Sequence, residues 1–138
     1  MVEYSPKRKL ATIFAADVVG YSTMMADNEE STVRKLKGHR EITDRFIARH
    51  EGRIFSTGGD SVFAEFGSAV EAVRCAMSIQ DELRTLNSAK PDEATMQFRI
   101  GINVGDVIVD GDDLLGDGVN IAARLEGLAE PGGICLSG

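Results

Sequence analysis

Short blocks of apolar residues alternate with polar ones along the chain and predict strands and helices in turn. Apolar residues at every second position over 96–104 are typical of a strand with one buried face. Apolar residues three or four positions apart are typical of amphipathic helices. The predicted strands span 10–16, 54–55, 62–66, 96–104, 107–109, 114–115 and 134–136, and the predicted helices span 28–50, 68–86 and 119–128.

With the neighbouring runs 96–104 and 107–109 counted together, the order of these elements is βαββαββαβ. This order predicts an α+β fold in which helices pack on a largely antiparallel sheet. Turn-forming residues predict two hairpins, one with its turn at Gly58-Gly-Asp60 and one with its turn at Asp110-Gly-Asp-Asp113. The chain has 138 residues, the usual size of one domain, so we expect residues 1–138 to form a single domain.

Charge and composition exclude several classes of function. Fifteen Lys and Arg residues against 22 Asp and Glu give a formal net charge of −7, and such a chain repels a nucleic-acid backbone. The N-terminus has no apolar signal segment, and no stretch is apolar enough to span a bilayer. The two cysteines, Cys75 and Cys135, are expected to be reduced. We therefore expect a cytoplasmic protein with neither a nucleic-acid partner nor a membrane segment.

Two aspartates are candidates for metal binding. Asp17 ends an apolar strand and Asp60 lies at the tip of the first hairpin, so the two carboxylates can converge at one end of the sheet. Oxygen ligands without His or Cys nearby suit Mg²⁺ or Mn²⁺. Each aspartate can instead be an ordinary turn residue that bonds nearby amides. Both interpretations stay open on the residues alone.

The segment between Asp17 and the first long helix is a candidate phosphate site. We predict a turn over Val18-Val-Gly-Tyr-Ser22, and free amides in such a turn can bind phosphate oxygens. Gly20, Tyr21 and Ser22 are the candidate substrate-binding residues in it.

A polar pair lies on the last predicted helix. Asn120 and Arg124 are four positions apart, so they share one helix face. Such a face can contact a ligand, and it can equally be a solvated surface without further function.

Three segments together resemble the class III nucleotidyl cyclase catalytic domain, and the resemblance extends from Lys9 to Gly138. The segments are Ile13-Phe-Ala-Ala-Asp-Val-Val-Gly-Tyr-Ser22, Thr57-Gly-Gly-Asp60 and Gly116-Asp-Gly-Val-Asn-Ile-Ala-Ala-Arg124. The resemblance implies a ferredoxin-like α+β sandwich that dimerises head to tail. It also implies a catalytic domain that lacks its C-terminal strands, because the family's triphosphate-binding lysine lies on a strand beyond Gly138.

The resemblance also implies a role for each candidate residue. Asp17, the Val18 carbonyl and Asp60 would hold two divalent cations, either Mg²⁺ or Mn²⁺. Asn120 corresponds to the residue that orients the ribose, and Arg124 corresponds to the residue that stabilises the transition state. In this family the metal ligands and the Asn/Arg pair come from opposite subunits, so the implied enzyme is a homodimer.

The implied reaction converts a nucleoside triphosphate into its 3′,5′-cyclic monophosphate and pyrophosphate. Ser56 and Asp113 occupy the two positions that recognise the base in this family. A carboxylate at Asp113 is typical of adenylyl cyclases, since it can accept a hydrogen bond from the adenine amino group, so we expect ATP as the substrate. Ser56 matches neither the lysine of adenylyl cyclases nor the glutamate of guanylyl cyclases.

Four alternatives stay open beside this hypothesis. The chain can be a guanylyl cyclase, a degenerate cyclase-like module that senses nucleotide or dimerises, or an α+β domain without a catalytic role, which would make the spacing of all three motifs a coincidence. Gly58-Gly-Asp60 also resembles the hairpin of diguanylate cyclases, but the helix with Asn120 and Arg124 has no counterpart in that family.

Overall fold

A computed structural model places six strands and four helices within residues 6–89 and 95–137, the parts of the chain that it describes. The strands are β1 (Lys7–Val18), β2 (Arg53–Gly58), β3 (Ser61–Phe66), β4 (Phe98–Asp110), β5 (Asp113–Leu115) and β6 (Ile134–Leu136). The helices are α1 (Tyr21–Asp27), α2 (Glu29–Arg49), α3 (Ala69–Ser88) and α4 (Asp117–Leu128).

The strands form one sheet in the order β2-β3-β1-β4-β5, and β6 pairs with the free end of β4 beside β5. All pairings are antiparallel except that of β4 with β6. Strand β1 runs along β4 for its whole length, from Lys7 opposite Val109 to Val18 opposite Phe98. The predicted α+β class with a largely antiparallel sheet is confirmed, and both predicted hairpins form.

Helices cover both faces of the sheet. Helices α2 and α3 pack on the face that carries Phe14 and Phe98, and this cluster is the larger core. Helix α4 packs on the opposite face against Ile13 and Val107. Both cysteines are free, as predicted. None of the described helices combines the length and the apolar character that a membrane crossing needs.

The second face of β4 differs from the prediction. The alternation over 96–104 predicts one buried face, but Gly101 and Asn103 are buried as well as Ile100 and Ile102. Helix α4 covers the face that the pattern assigns to solvent, and small or hydrogen-bonded residues allow it to approach. Strand β4 also continues without a break to Asp110, so the separate strand predicted over 107–109 is part of it.

The segment predicted as a turn over 18–22 is only partly a turn. The chain turns at Val19 and Gly20, where Gly20 has a φ of 67°, and helix α1 then begins at Tyr21. Helix α1 has only seven residues, which is too short a segment to show the apolar periodicity from which a helix is predicted.

Gly101 is the point of closest approach between α4 and the sheet. A Cβ atom there would overlap the Glu126 amide nitrogen and would lie 2.5 Å from the Ala122 carbonyl oxygen. We expect Gly101→Ala to lower the free energy of unfolding by about 2 kcal/mol or more, because the backbone of α4 would have to move. Urea unfolding followed by circular dichroism measures this change.

Gly38→Ala is the matched control for this substitution. A Cβ at Gly38, inside α2, meets no atom within 4 Å. It should raise stability by roughly 0.5–1 kcal/mol through helix propensity. Equal effects of the two substitutions would contradict the close contact between α4 and β4.

Candidate functional site

The residues predicted as metal ligands meet at one end of the sheet. The β1–β3 register, with Ala16 opposite Val62, brings the end of β1 beside the β2–β3 turn. The Val18 amide donates a hydrogen bond of 2.9 Å to Asp60 Oδ2, and Asp17 is the preceding residue on β1. Both aspartates are partly exposed. The convergence of Asp17 and Asp60 is therefore present, and their binding of a metal stays a prediction.

The donor atoms at this end of the sheet suit a hard divalent cation. Asp17, Asp60 and the Val18 carbonyl supply oxygen only. The structure places no group of three or more His, Cys, Asp or Glu side chains at ligand distances within residues 6–89 and 95–137. Mg²⁺ is commonly held by one or two carboxylates while water and substrate phosphates complete its shell. The residues present thus fit Mg²⁺ or Mn²⁺ that is bound together with a phosphorylated substrate.

Arg99 pairs with Asp17, although no sequence motif indicates it. The two residues are opposite each other in the β1–β4 register, and Arg99 Nη2 lies 3.4 Å from both carboxylate oxygens of Asp17. Arg99 Nη1 also donates to the Gly127 carbonyl at 3.3 Å. The pair is 82 residues apart in sequence, so only the strand register could have indicated it. Arg99 balances the charge of Asp17 and ties it to the end of α4.

Glu126 is a second residue of the site that was not predicted from the sequence. It lies on the buried stripe of α4 with Gly118 and Ala122, and Arg99 Nε is 3.3 Å from its Oε1. Burial raises the pKa of Glu126 to about 8, and a hydrogen bond to Asp17 adds to the rise. A protonated Glu126 is neutral, so the positive charge of Arg99 pairs with the carboxylate of Asp17. The sequence pattern that could have indicated Glu126 is its position on the same helix face as the small residues Gly118 and Ala122.

The candidate phosphate residues lie three to five positions after Asp17 along the chain. Gly20 ends the turn after β1, and Tyr21 and Ser22 are the first residues of α1. Tyr21 packs against the larger core, whereas Ser22 is exposed. The first amides of a helix have no acceptor within it, so those of α1 are available to an anion beside Asp17.

Asn120 and Arg124 lie on the outer face of α4. Gly118, Ala122 and Glu126 face the sheet, and at 100° per residue the pair is on the opposite side of the helix. Both side chains are exposed, and neither makes a hydrogen bond to any residue that the structure describes. Within one subunit the pair therefore points away from the face on which Asp17 and Glu126 meet.

The two predicted base-recognition residues are on opposite edges of the sheet. Ser56 is exposed on β2, opposite Phe63 of β3. Asp113 begins β5, and its Oδ1 accepts a hydrogen bond of 2.9 Å from the Leu114 amide. The order of the strands alone would thus keep Ser56 and Asp113 far apart.

The adenylate and guanylate cyclase catalytic domain profile matches residues 3–138, almost the entire chain. The chain belongs to this family. It is 45% identical over 138 residues to putative adenylate cyclase 3 of Rhizobium meliloti (strain 1021), and 30% identical over 139 residues to adenylate cyclase 1 of the same organism. These alignments cover 99% and 88% of this chain but only 24% and 21% of those proteins, so it spans less than a quarter of their length.

A solved cyclase structure has the same fold. The adenylate/guanylate cyclase/hydrolase of Silicibacter pomeroyi is 42% identical and superposes with a TM-score of 0.89, over 96% of this chain and 78% of that one. The family and the fold class indicated by the sequence motifs are both confirmed. The roles of the individual site residues stay predictions.

Proposed function

We propose that this cyclase domain converts ATP into 3′,5′-cyclic AMP and pyrophosphate at the interface of a homodimer. The observation that carries the proposal is the arrangement of the four motif residues. Asp17 and Asp60 converge at one end of the sheet, whereas Asn120 and Arg124 face outward from α4 without partners in the described chain. A second subunit brings the two halves of the site together.

Asp17, Asp60 and the Val18 carbonyl would hold the divalent cations. Such cations supply charge neutralisation for the triphosphate and a lower pKa for the ribose 3′-hydroxyl. The hydrogen bond from the Val18 amide is made by Asp60 Oδ2, so Oδ1 is available to a ligand. Arg99 holds Asp17 by both carboxylate oxygens, which restricts its rotation before substrate arrives. The amides at Gly20 to Ser22 would donate to the phosphate oxygens next to these carboxylates.

Arg124 and Asn120 act on the reacting end of the nucleotide. The Arg124 guanidinium offsets the negative charge that builds on the α-phosphate oxygens as the 3′-oxygen attacks and pyrophosphate leaves. Asn120, one turn earlier on the same face, orients the ribose by hydrogen bonding. Neither side chain is committed to a contact within the described part of its own subunit, so both can meet the substrate.

Base recognition rests on Asp113 and Ser56. The Asp113 carboxylate can accept a hydrogen bond from the adenine 6-amino group, whereas guanine presents an acceptor at that position. A carboxylate facing the guanine oxygen would be repelled. This difference supports ATP as the substrate.

The experiment that tests the proposal is a cyclisation assay. The protein is purified at its full natural length and incubated with ATP or GTP in the presence of Mn²⁺ or Mg²⁺, and cyclic AMP and cyclic GMP are quantified by chromatography. We expect cyclic AMP to form with a divalent cation and to be abolished by a chelator. Formation of cyclic GMP alone would instead support the guanylyl cyclase hypothesis, and nucleotide binding without product would support a degenerate module.

Ser56→Lys is expected to raise the preference for ATP over GTP. A lysine at this exposed position adds a donor for the adenine ring nitrogens, and one added charged hydrogen bond is typically worth about 1.5–3 kcal/mol. The ratio of kcat/KM for ATP to that for GTP measures the effect. Thr57→Lys places the same charge one residue further along β2 and serves as the control. An unchanged ratio in Ser56→Lys would mean that position 56 does not contact the base.

A further inference from the structure

Arg53 connects the two edges of the sheet. Strand β2 and strand β5 are at opposite ends of the order β2-β3-β1-β4-β5. Four strand spacings would separate them by about 19 Å in a flat sheet. Nevertheless Arg53 Nη1, on β2, donates a hydrogen bond of 2.6 Å to the Asp112 carbonyl in the β4–β5 turn, 59 residues away. The sheet is therefore curled so strongly that its edges meet, and Arg53 is the residue that joins them.

The Arg53 side chain is held in place from several sides. Its Nη2 donates to Glu65 Oε1 at 3.1 Å, and Glu65 is also paired with Lys9. Burial acts to raise the pKa of the Glu65 carboxyl, but hydrogen bonds from Lys9 and Arg53 outweigh burial, so this pKa is lowered. The guanidinium also lies 6.0 Å from the centre of the Phe55 ring. The Arg53 side chain is 46% exposed, and its contacts with a carboxylate, a carbonyl and an aromatic ring favour one orientation of the guanidinium.

A β-bulge next to Arg53 turns Ser56 toward the same side of the sheet. The β2–β3 register shifts between Ile54 and Ser56, so that Ser56 lies opposite Phe63. Phe63 belongs to the cluster on the α4 face, together with Phe55. In a regular strand without this bulge, Ser56 would lie on the same face as Ile54, which packs with α2 and α3.

The β4–β5 hairpin carries Asp113 to the edge of the sheet that Arg53 contacts. Leu114 is the next residue and lies opposite Val109 of β4, and both belong to the α4-face cluster. The turn carbonyl that Arg53 binds belongs to Asp112, which directly precedes Asp113. Arg53 is thus three residues before Ser56 and one hydrogen bond away from the residue preceding Asp113.

From this arrangement we propose that Arg53 is a positioning residue for base recognition, which sets the separation of Ser56 and Asp113. The inference rests on the proposed cyclase function. Arg53 itself does not touch the substrate. It fixes the hairpin, and the hairpin places the Asp113 carboxylate at the adenine amino group. Loss of the connection should therefore change the choice of base more than the chemical step, because Arg124 and the metal ligands remain in place.

The test compares Arg53→Ala, Arg53→Lys and Lys9→Ala with the wild-type protein, in assays of ATP and GTP turnover with Mn²⁺. Lys9→Ala is the matched control, because it removes the other cation on Glu65 and keeps the Arg53–Asp112 hydrogen bond. We expect Arg53→Ala to raise the KM for ATP about tenfold and to lower the ATP-to-GTP ratio of kcat/KM by a similar factor, with a smaller change in kcat. Arg53→Lys should be intermediate, since an ammonium cannot bridge both acceptors with the geometry of a guanidinium. Lys9→Ala should keep the wild-type ratio.

Amide hydrogen exchange gives a readout that does not depend on turnover. Arg53→Ala should speed exchange of the Leu114 and Leu115 amides at least about tenfold relative to Lys9→Ala. Faster exchange with an unchanged ATP-to-GTP ratio would show a structural role only and would overturn the proposal, as would an unchanged exchange rate. An inactive wild-type protein would overturn the proposed function itself and this inference with it, and that failure is distinguishable because it appears without any substitution.

Discussion

Asp17→Asn and Asp60→Asn should each reduce cyclase turnover by at least about a thousandfold, which corresponds to roughly 4 kcal/mol of barrier. Each substitution keeps the shape of the side chain and removes the negative charge of one of the two aspartates proposed as metal ligands. In the Asp60→Asn variant the new amide oxygen can still accept the hydrogen bond of the Val18 amide, so we expect the fold to be retained. Turnover is measured as cyclic AMP formed at saturating Mn²⁺ and ATP.

The matched control for these substitutions is Asp106→Asn. Asp106 is an exposed aspartate on β4 that pairs with Arg8 at the surface, away from the end of β1. It should retain wild-type turnover, because a surface ion pair contributes little. Calorimetry with Mn²⁺ and a nonhydrolysable ATP analogue provides the second measurement. Equal Mn²⁺ affinity in the wild type and in Asp17→Asn would contradict the assignment of Asp17 as a ligand.

The fold was predictable wherever one local pattern decides the structure. Helix α2 begins after Asn28, whose side chain accepts from the Ser31 amide, and the sequence predicts its start at the same place. The two hairpins follow from glycine and aspartate in their turns. The second buried face of β4 was not predictable in this way, since Gly101 and Asn103 are small or polar. They are buried because α4 packs on their face of the sheet, and the alternation of residues within β4 does not indicate which helix covers that face.

The same distinction between local patterns and tertiary structure applies to the residues of the site. The convergence of Asp17 and Asp60 could be predicted, because each ends a sheet element and adjacent antiparallel strands bring such ends together. The partners of these residues could not. Arg99 reaches Asp17 through the β1–β4 register, and Glu126 reaches it from α4. The Arg53 contact depends on the curl of the whole sheet, which no local segment encodes.

Arg124→Ala should raise the activation barrier by about 2–4 kcal/mol, which lowers kcat roughly thirtyfold to a thousandfold. The change in KM should be much smaller. The reason is that Arg124 meets charge that develops only in the transition state, and the alanine variant loses no hydrogen bond within the described part of its own subunit. Arg34→Ala is the matched control, since Arg34 is also an exposed arginine on a helix but is outside the motif. A variant that only raised KM would make Arg124 a residue for ground-state binding.

Mixing two inactive variants tests the dimer directly. The homodimer has two active sites at its interface. In a hybrid of Asp17→Asn and Arg124→Ala subunits, one site carries both defects, whereas the other combines the intact Asp17 of one subunit with the intact Arg124 of the other. Random pairing of equal amounts makes half of the dimers hybrid, so we expect about one quarter of the wild-type activity to return. If both groups instead acted within one subunit, every site would carry one defect. No activity would then return at any mixing ratio, and the outward direction of Arg124 from α4 would have a different explanation.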